Sequence, residues 1–195
     1  YWALQRSLRW QNLALLAASY VFYAWWDWRF LFLILITSVS SFACGLLMPK
    51  TSHRRWLLTA CIVLNLGILG VFKYCGFFID NLQALLIPFG ITLDAPTLNL
   101  ILPVGISFYT FQSISYTVDV YRGLLPPTRN VVAFFTYIAF FPQLVAGPIE
   151  RAVNLLPQMT HVRAFRYDEA VDGLRRILWG FFKKIKSGLE NAVDW

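Results

Sequence analysis

Apolar residues run along this chain in long stretches separated by short charged clusters. Five stretches contain no Asp, Glu, Lys or Arg: residues 10–26, 30–49, 56–72, 95–118 and 130–149. A helix needs about 20 residues, range about 17–25, to cross the hydrocarbon core of a bilayer. The pattern predicts four spans, at 10–26, 30–49, 56–72 and 98–118. Only Asp27, Trp28 and Arg29 separate the first two, which should form a tight hairpin. Tyr20, Tyr23, Trp25, Trp26 and Trp28 cluster at its tip and read as an interfacial aromatic belt.

The fifth stretch differs, because Pro142 lies inside it and Gly147-Pro148 closes it. Proline lacks the amide donor and clashes with the preceding turn, so residues 130–149 should be broken or re-entrant. Broken backbone at membrane depth is tolerated only against protein or a wet cavity, which places this segment beside one. From Tyr167 to Lys186 the pattern becomes amphipathic. Leu174, Ile177, Leu178, Phe181 and Ile185 recur at helical spacing opposite Arg175, Arg176, Lys183 and Lys184. That pattern predicts an interfacial helix over 167–186 on the cytoplasmic side. The fold class expected is all-α: a polytopic membrane protein with about four spanning helices, a re-entrant segment and a cytoplasmic amphipathic helix, all in one membrane domain that is incomplete at 195 residues.

Composition supports the membrane reading. Hydrophobic residues make up 58% of the 195-residue chain and charged residues 14%. A soluble domain carries roughly 45–50% apolar and roughly 25% charged residues, and a globule of this length has too little interior for the surplus. The net charge of +7 comes from basic residues clustered between the apolar runs. Membrane topology explains that distribution, and nucleic acid is not expected as a partner.

Orientation follows from the same residues. Arg6, Arg9, Lys50, Arg54 and Arg55 flank one end of the first hairpin, Arg122 and Arg129 follow the fourth span, and residues 80–98 carry no Lys or Arg. The basic ends belong on the cytoplasmic side and residues 80–98 outside. A re-entrant fifth stretch keeps the eight basic residues from Arg151 to Lys186 inside as well.

Polar groups inside apolar stretches are the candidates for function. Positions 108, 112, 115, 116 and 119 share one face of the fourth span, with Gln112 and Asp119 among them. Two readings of this face are open: the lining of a polar tunnel, or hydrogen-bonding glue between helices. Asp119, Tyr121 and Arg122 end that span, while Glu150 and Arg151 follow the broken stretch. Pairing of Glu150 with Arg122, or of Asp119 with Arg151, would fasten the two ends together. His53 lies in a basic loop and His161 in a polar stretch, and neither reads as catalytic. Cys44, Cys61 and Cys75 read as core thiols, with no spacing suited to a metal. Motifs for nucleotide, zinc or serine-hydrolase chemistry are absent.

Three stretches together resemble the membrane-bound O-acyltransferases, in the bacterial branch that O-acetylates exopolysaccharides such as alginate. They are NLALLAASYVFYAWWDWRFLF at 12–32, LPVGISFYTFQSISYTVDVYRG at 102–123 and FFPQLVAGPIERAVNLLPQ at 140–158, with NLGILGVFKYCGFFIDNL at 65–82 fitting the same order. The resemblance implies a multi-pass enzyme of the bacterial cytoplasmic membrane, with helices around a tunnel. It would pass an acetyl group from a cytoplasmic, acetyl-CoA-like donor to hydroxyls of an exported polysaccharide. A periplasmic or extracellular acetylation partner, membrane lipid and the remaining spans of a full-length enzyme would be its partners, and no bound cofactor is expected.

The chain departs from the family's pattern in three places. The catalytic His of the family lies in a later Trp-His-Gly-like motif that does not occur here, so this N-terminal part is expected to be inactive alone. Ser41 stands where the family has an acidic residue, and residues 186–195, KSGLENAVDW, replace a further apolar stretch. Gln112, Asp119, Tyr121, Arg122, Gln143, Glu150 and Arg151 are then expected to support tunnel shape and donor entrance, none as the chemical base. A channel or transporter subunit, and a non-catalytic scaffold of a polysaccharide export complex, are the alternatives.

Overall fold

The computed structural model describes residues 7–86, 105–148, 150–161, 163 and 165–193. Every regular element among them is helical: α1 (Leu8–Trp26), α2 (Arg29–Leu47), α3 (Arg54–Leu86), α4 (Ile106–Tyr121), α5 (Val131–Ile138), α6 (Phe141–Ala146), α7 (Ala152–Thr160) and α8 (Tyr167–Val193). The chain divides into two compact units, one ending at residue 162 and the other beginning at Arg163.

In the first unit, α1 and α2 form the hairpin expected of residues 10–49. Asp27 takes extended backbone and ends α1, and its carboxylate accepts the Arg29 N–H at 2.9 Å to start α2. The aromatic cluster at the tip divides between two roles. Trp25 and Trp28 are exposed, as an interfacial belt requires, but Tyr23 is buried against Tyr109 with ring centroids 6.4 Å apart. A short 3₁₀ turn, Met48–Lys50, with Pro49 in its first turn, then leads towards α3.

The third helix is longer than the expected span of 56–72. It has 33 residues and passes Lys73 and Asp80 without a break. No proline interrupts this stretch before Pro88, and Asn81 returns its amide to the Phe77 carbonyl at 2.6 Å, so the helix continues past the apolar run. The connection expected at 80–98 is therefore helical as far as Leu86. Its later residues, residues 98–104 of the fourth span and the side chains of Trp26 and Cys75 lie outside the described residues.

Among the described residues, two stretches, Arg29–Lys50 and Arg54–Tyr74, are long and apolar enough to cross a membrane. The distribution of polarity fits that environment. Val39, Val63, Leu64 and Val71 are exposed, whereas Thr37, Ser38, Ser41 and Asn65 on the same helices are buried. The buried hydroxyls bond along their own helix, Ser38 to the Ile34 carbonyl at 2.6 Å and Thr37 to the Leu33 carbonyl at 3.0 Å. Such local bonds satisfy a hydroxyl in surroundings where water cannot.

The fourth helix is the centre of this unit and packs against both α2 and α3. At Gly45 of α2 a Cβ would stand 2.6 Å from the Tyr116 hydroxyl oxygen, so only glycine admits the tyrosine there. The α4 helix ends in a Schellman arrangement: Leu124 donates to the Asp119 carbonyl at 2.9 Å and Gly123 to that of Val120 at 3.1 Å. Gly123 supplies the left-handed conformation this motif needs, at φ 73°.

The expected break in 130–149 is present. Asn130 caps α5 by accepting the Ala133 N–H at 3.1 Å, the helix ends at Ile138, and α6 restarts with Pro142 in its first turn. One element was not foreseen. The α7 helix holds Pro157 inside it and buries Ala152, Leu156 and Met159.

The second unit is α8, which begins at Tyr167 as expected but runs seven residues beyond Lys186, to Val193. Asp168 and Glu169 occupy its first turn, where the helix dipole favours them. Its exposed apolar side includes Leu174, Ile177 and Phe181, with Trp179 stacked on Phe182 at 5.3 Å.

Candidate functional site

Among the contacts that hold the broken segment and α7 against their neighbours, three tethers carry the expected or newly found polar residues. In the first, Gln112 of α4 donates its amide to the Gln143 carbonyl oxygen of α6 at 2.9 Å. Gln143 in turn donates to the Pro148 carbonyl at 2.7 Å, so one side chain links α4 to the turn after α6. That turn is tight: a Cβ on Gly147 would stand 2.7 Å from the Gln143 Cα.

The second tether lies two turns further along α4. Arg151 donates to the Asp119 carboxylate and fastens the start of α7 to the end of α4. The Asp119 side chain is 2% exposed and that of Arg151 56%, so a buried carboxylate is joined to a cation that still reaches solvent. The other Asp119 oxygen is buried without a partner among the described residues. Glu150, one residue before, accepts from the Asn154 side-chain amide at 3.3 Å, an exposed bond that ties it to the first turn of α7.

A third tether joins α1, α5 and α7. Asn12 donates to the Met159 carbonyl at 2.7 Å, and the Thr136 hydroxyl donates to the Asn12 carbonyl at 3.2 Å. Sequence reasoning did not single out Asn12 or Thr136. The available signal was an isolated amide beside an apolar run, the same signal that marks Asn65 in α3.

Of the seven expected residues, Gln112, Gln143, Asp119, Arg151 and Glu150 are thus gathered along one side of α4 and its neighbours. Of the two pairings considered, Asp119 with Arg151 forms. Glu150 with Arg122 does not, because Arg122 ends α4 exposed while Glu150 is held by Asn154. Tyr121 is half-buried and turned to the α2–α3 turn.

The shared polar face at 108, 112, 115, 116 and 119 is mostly packed. Gln112, Tyr116 and Asp119 are buried, while Phe108 and Ser115 are half-buried. Tyr116 lies 4.6 Å from the Phe134 ring, and its hydroxyl accepts the Thr128 N–H at 3.2 Å. Over these contacts the face acts as inter-helix glue. Beside it, the hydroxyls of Tyr109, Thr110 and Ser113 and the side-chain oxygen Oε1 of Gln112 are buried without partners among the described residues. Unpaired buried polar atoms cost about 1–3 kcal/mol each, so this row is poised for water or another polar group. Among the described residues no cluster of three or more His, Cys, Asp or Glu could hold a metal.

Comparison with known proteins gives the arrangement a family. The chain is 44% identical over 182 residues to a protein of Azotobacter vinelandii named "Probable alginate O-acetylase", covering 91% of this chain and 36% of that protein. A protein of the same name from Pseudomonas aeruginosa is 43% identical, covering 91% of this chain and 34% of its own length. The peptidoglycan O-acetyltransferase of Helicobacter pylori is 31% identical over 204 aligned positions, which include 89% of this chain and 38% of that protein. No family model and no solved structure matches the chain. It spans about a third of the length of these relatives. At this identity over nine-tenths of its residues, the chain belongs to the membrane-bound O-acyltransferase family, in the branch that contains the alginate O-acetylases.

Proposed function

We propose that this chain is part of a multi-pass enzyme of the bacterial cytoplasmic membrane that O-acetylates an exported polysaccharide. The acetyl group enters from a cytoplasmic, acetyl-CoA-like donor and leaves on a sugar hydroxyl on the other side. In this reading α1, α2, α3 and α4 are the spans, α5 and α6 form the re-entrant element, and α8 lies in the cytoplasmic interface with its basic residues towards lipid headgroups. An acetylation partner outside the membrane receives or presents the polysaccharide.

The observation that carries this reading is the fastening of a broken helix along a polar face, by Gln112 to Gln143 and by Asp119 to Arg151. Irregular backbone survives at membrane depth where it borders protein or a wet path, and the unpaired hydroxyls of Tyr109, Thr110 and Ser113 lie on the same helix. Gln112, Gln143, Asp119, Arg151 and Glu150 hold the shape of that path, and Tyr121 and Arg122 stand at its donor end. None of them is the base that takes the acceptor's proton, because among the described residues no second group of the kind such a step requires stands beside them. The base comes from outside this set.

A chimera tests the proposal. The chain replaces the matching third of the Azotobacter vinelandii relative in a strain that lacks that relative, and O-acetyl esters on the exported polysaccharide are counted by proton NMR. The chimera restores them and the chain alone does not. A chimera present in the membrane that restores none contradicts the proposal.

A further inference from the structure

The turn between α2 and α3 opens a cleft of about 560 Å³, in which Tyr121 is the one residue that the acyl-transfer reading already uses. It is lined by Ser52, His53, Arg54, Arg55, Trp56 and Tyr121. The lining residues include two arginines, a histidine and two hydroxyl-bearing residues, and no carboxylate is among them. Arg54 and Arg55 are exposed and enter no ion pair among the described residues. The carboxylate nearest in sequence to Tyr121, Asp119, is already engaged by Arg151.

The wall is shaped as well as charged. The His53 N–H donates to the Thr51 hydroxyl at 3.2 Å, and the Leu57 N–H to the His53 carbonyl at 3.1 Å, so the turn and the first residues of α3 are fixed together. Trp56 is 75% exposed beside these cations. Retention of a loop in the cytoplasm requires basic residues only. It does not require a concave wall completed by a tyrosine from another helix.

We infer that this cleft binds a phosphate-bearing ligand at the membrane surface. Arg54 and Arg55 donate to the phosphate oxygens in charge-assisted, bidentate geometry, and the hydroxyls of Ser52 and Tyr121 supply further donors. The Trp56 face is free to stack on a planar base. Two sources present this chemistry: a soluble nucleotide-type ligand, such as an acyl donor with phosphates on an adenosine, and the headgroup of an anionic phospholipid. The choice between them rests on the proposed function, whereas the binding does not.

Binding is measured on the full chain in detergent micelles, with labelled adenosine 3′,5′-bisphosphate by equilibrium dialysis and with phosphatidylglycerol by native mass spectrometry. At least one probe binds, and R54Q/R55Q weakens it about tenfold or more, as the loss of a bidentate charged contact predicts. The variant R54K/R55K keeps the charge and recovers part of the affinity, and the charge-matched control R9Q/R29Q leaves it unchanged. Binding of the bisphosphate alone identifies a nucleotide-type ligand, and binding of phosphatidylglycerol alone a lipid headgroup. The inference is overturned if neither probe binds, if R54Q/R55Q binds as well as the parent, or if R54K/R55K is no better than R54Q/R55Q. No acyl transfer is read in this measurement, so its failure leaves the proposed function standing.

Discussion

Arg151 reaches back across 32 residues of sequence to the buried carboxylate of Asp119, and so fixes where α7 starts against where α4 ends. Asp119 serves that junction twice, since its backbone carbonyl also accepts the Leu124 N–H that closes α4. The two partners are unequal. Removing Arg151 leaves a carboxylate buried and unpaired, whereas replacing Asp119 by Asn leaves an arginine that already reaches solvent. Arg151→Ala is therefore expected to cost about 1–3 kcal/mol and Asp119→Asn less, with the double variant no worse than Arg151→Ala alone. Denaturant titration of the four proteins in one detergent reads the coupling, and additive losses would show that the pair does not act as a unit.

Close approach at Gly45 gives a second expectation. A methyl group there overlaps the Tyr116 hydroxyl, so Gly45→Ala should cost about 1–3 kcal/mol, as overpacking does. Tyr116→Phe in the same chain should return only part of that loss, because the Tyr116 ring carbon Cε1 would still stand 2.8 Å from the new methyl. Full recovery by Tyr116→Phe would place the conflict at the hydroxyl alone.

How far the fold was readable before the structure depended on which residues carried the information. The hairpin at Asp27 and the break near Pro142 were legible, since a charged pair between apolar runs and a proline inside one act locally. The far end of α3 was not. Lys73 and Asp80 look like the edge of a span when apolar content is counted, but helix termination needs a breaker, and none precedes Pro88. The α7 helix was hidden for the opposite reason: Pro157 argues against helix, yet burial of Ala152, Leu156 and Met159 outweighs it. At the candidate site, residue types pointed to both possible ion pairs, but choosing between them required the spacing of α4 and α7 in three dimensions.

The amide link between α4 and α6 can be tested as a pair. Gln112→Leu and Gln143→Leu each remove the same 2.9 Å bond, and Gln143→Leu also frees the Pro148 carbonyl. Side-chain bonds between membrane helices are worth about 0.6 kcal/mol on average and about 1.7 at most. Gln143→Leu should be the more destabilising by a similar amount, read as a lower midpoint of thermal unfolding. Equal midpoints would deny Gln143 its second role.

Orientation provides an independent check. With native cysteines replaced, a cysteine at Asp27 should react with a membrane-impermeant thiol reagent from the outside of spheroplasts. A cysteine at Ser52 should react only after permeabilisation, because α2 lies between the two. Labelling of both from the same side would remove α2 from the set of spans.

The most direct test of membership in an acetyl-transferring enzyme is vectorial transfer by the chimera in proteoliposomes. Acetyl-labelled donor is supplied on the cytoplasmic face, and acceptor polysaccharide on the other. Labelled ester on the polysaccharide, reduced about tenfold or more when Arg151→Ala loosens the junction, is the predicted result. A chimera that is inserted and folded, yet transfers no label where the parent relative does, contradicts it.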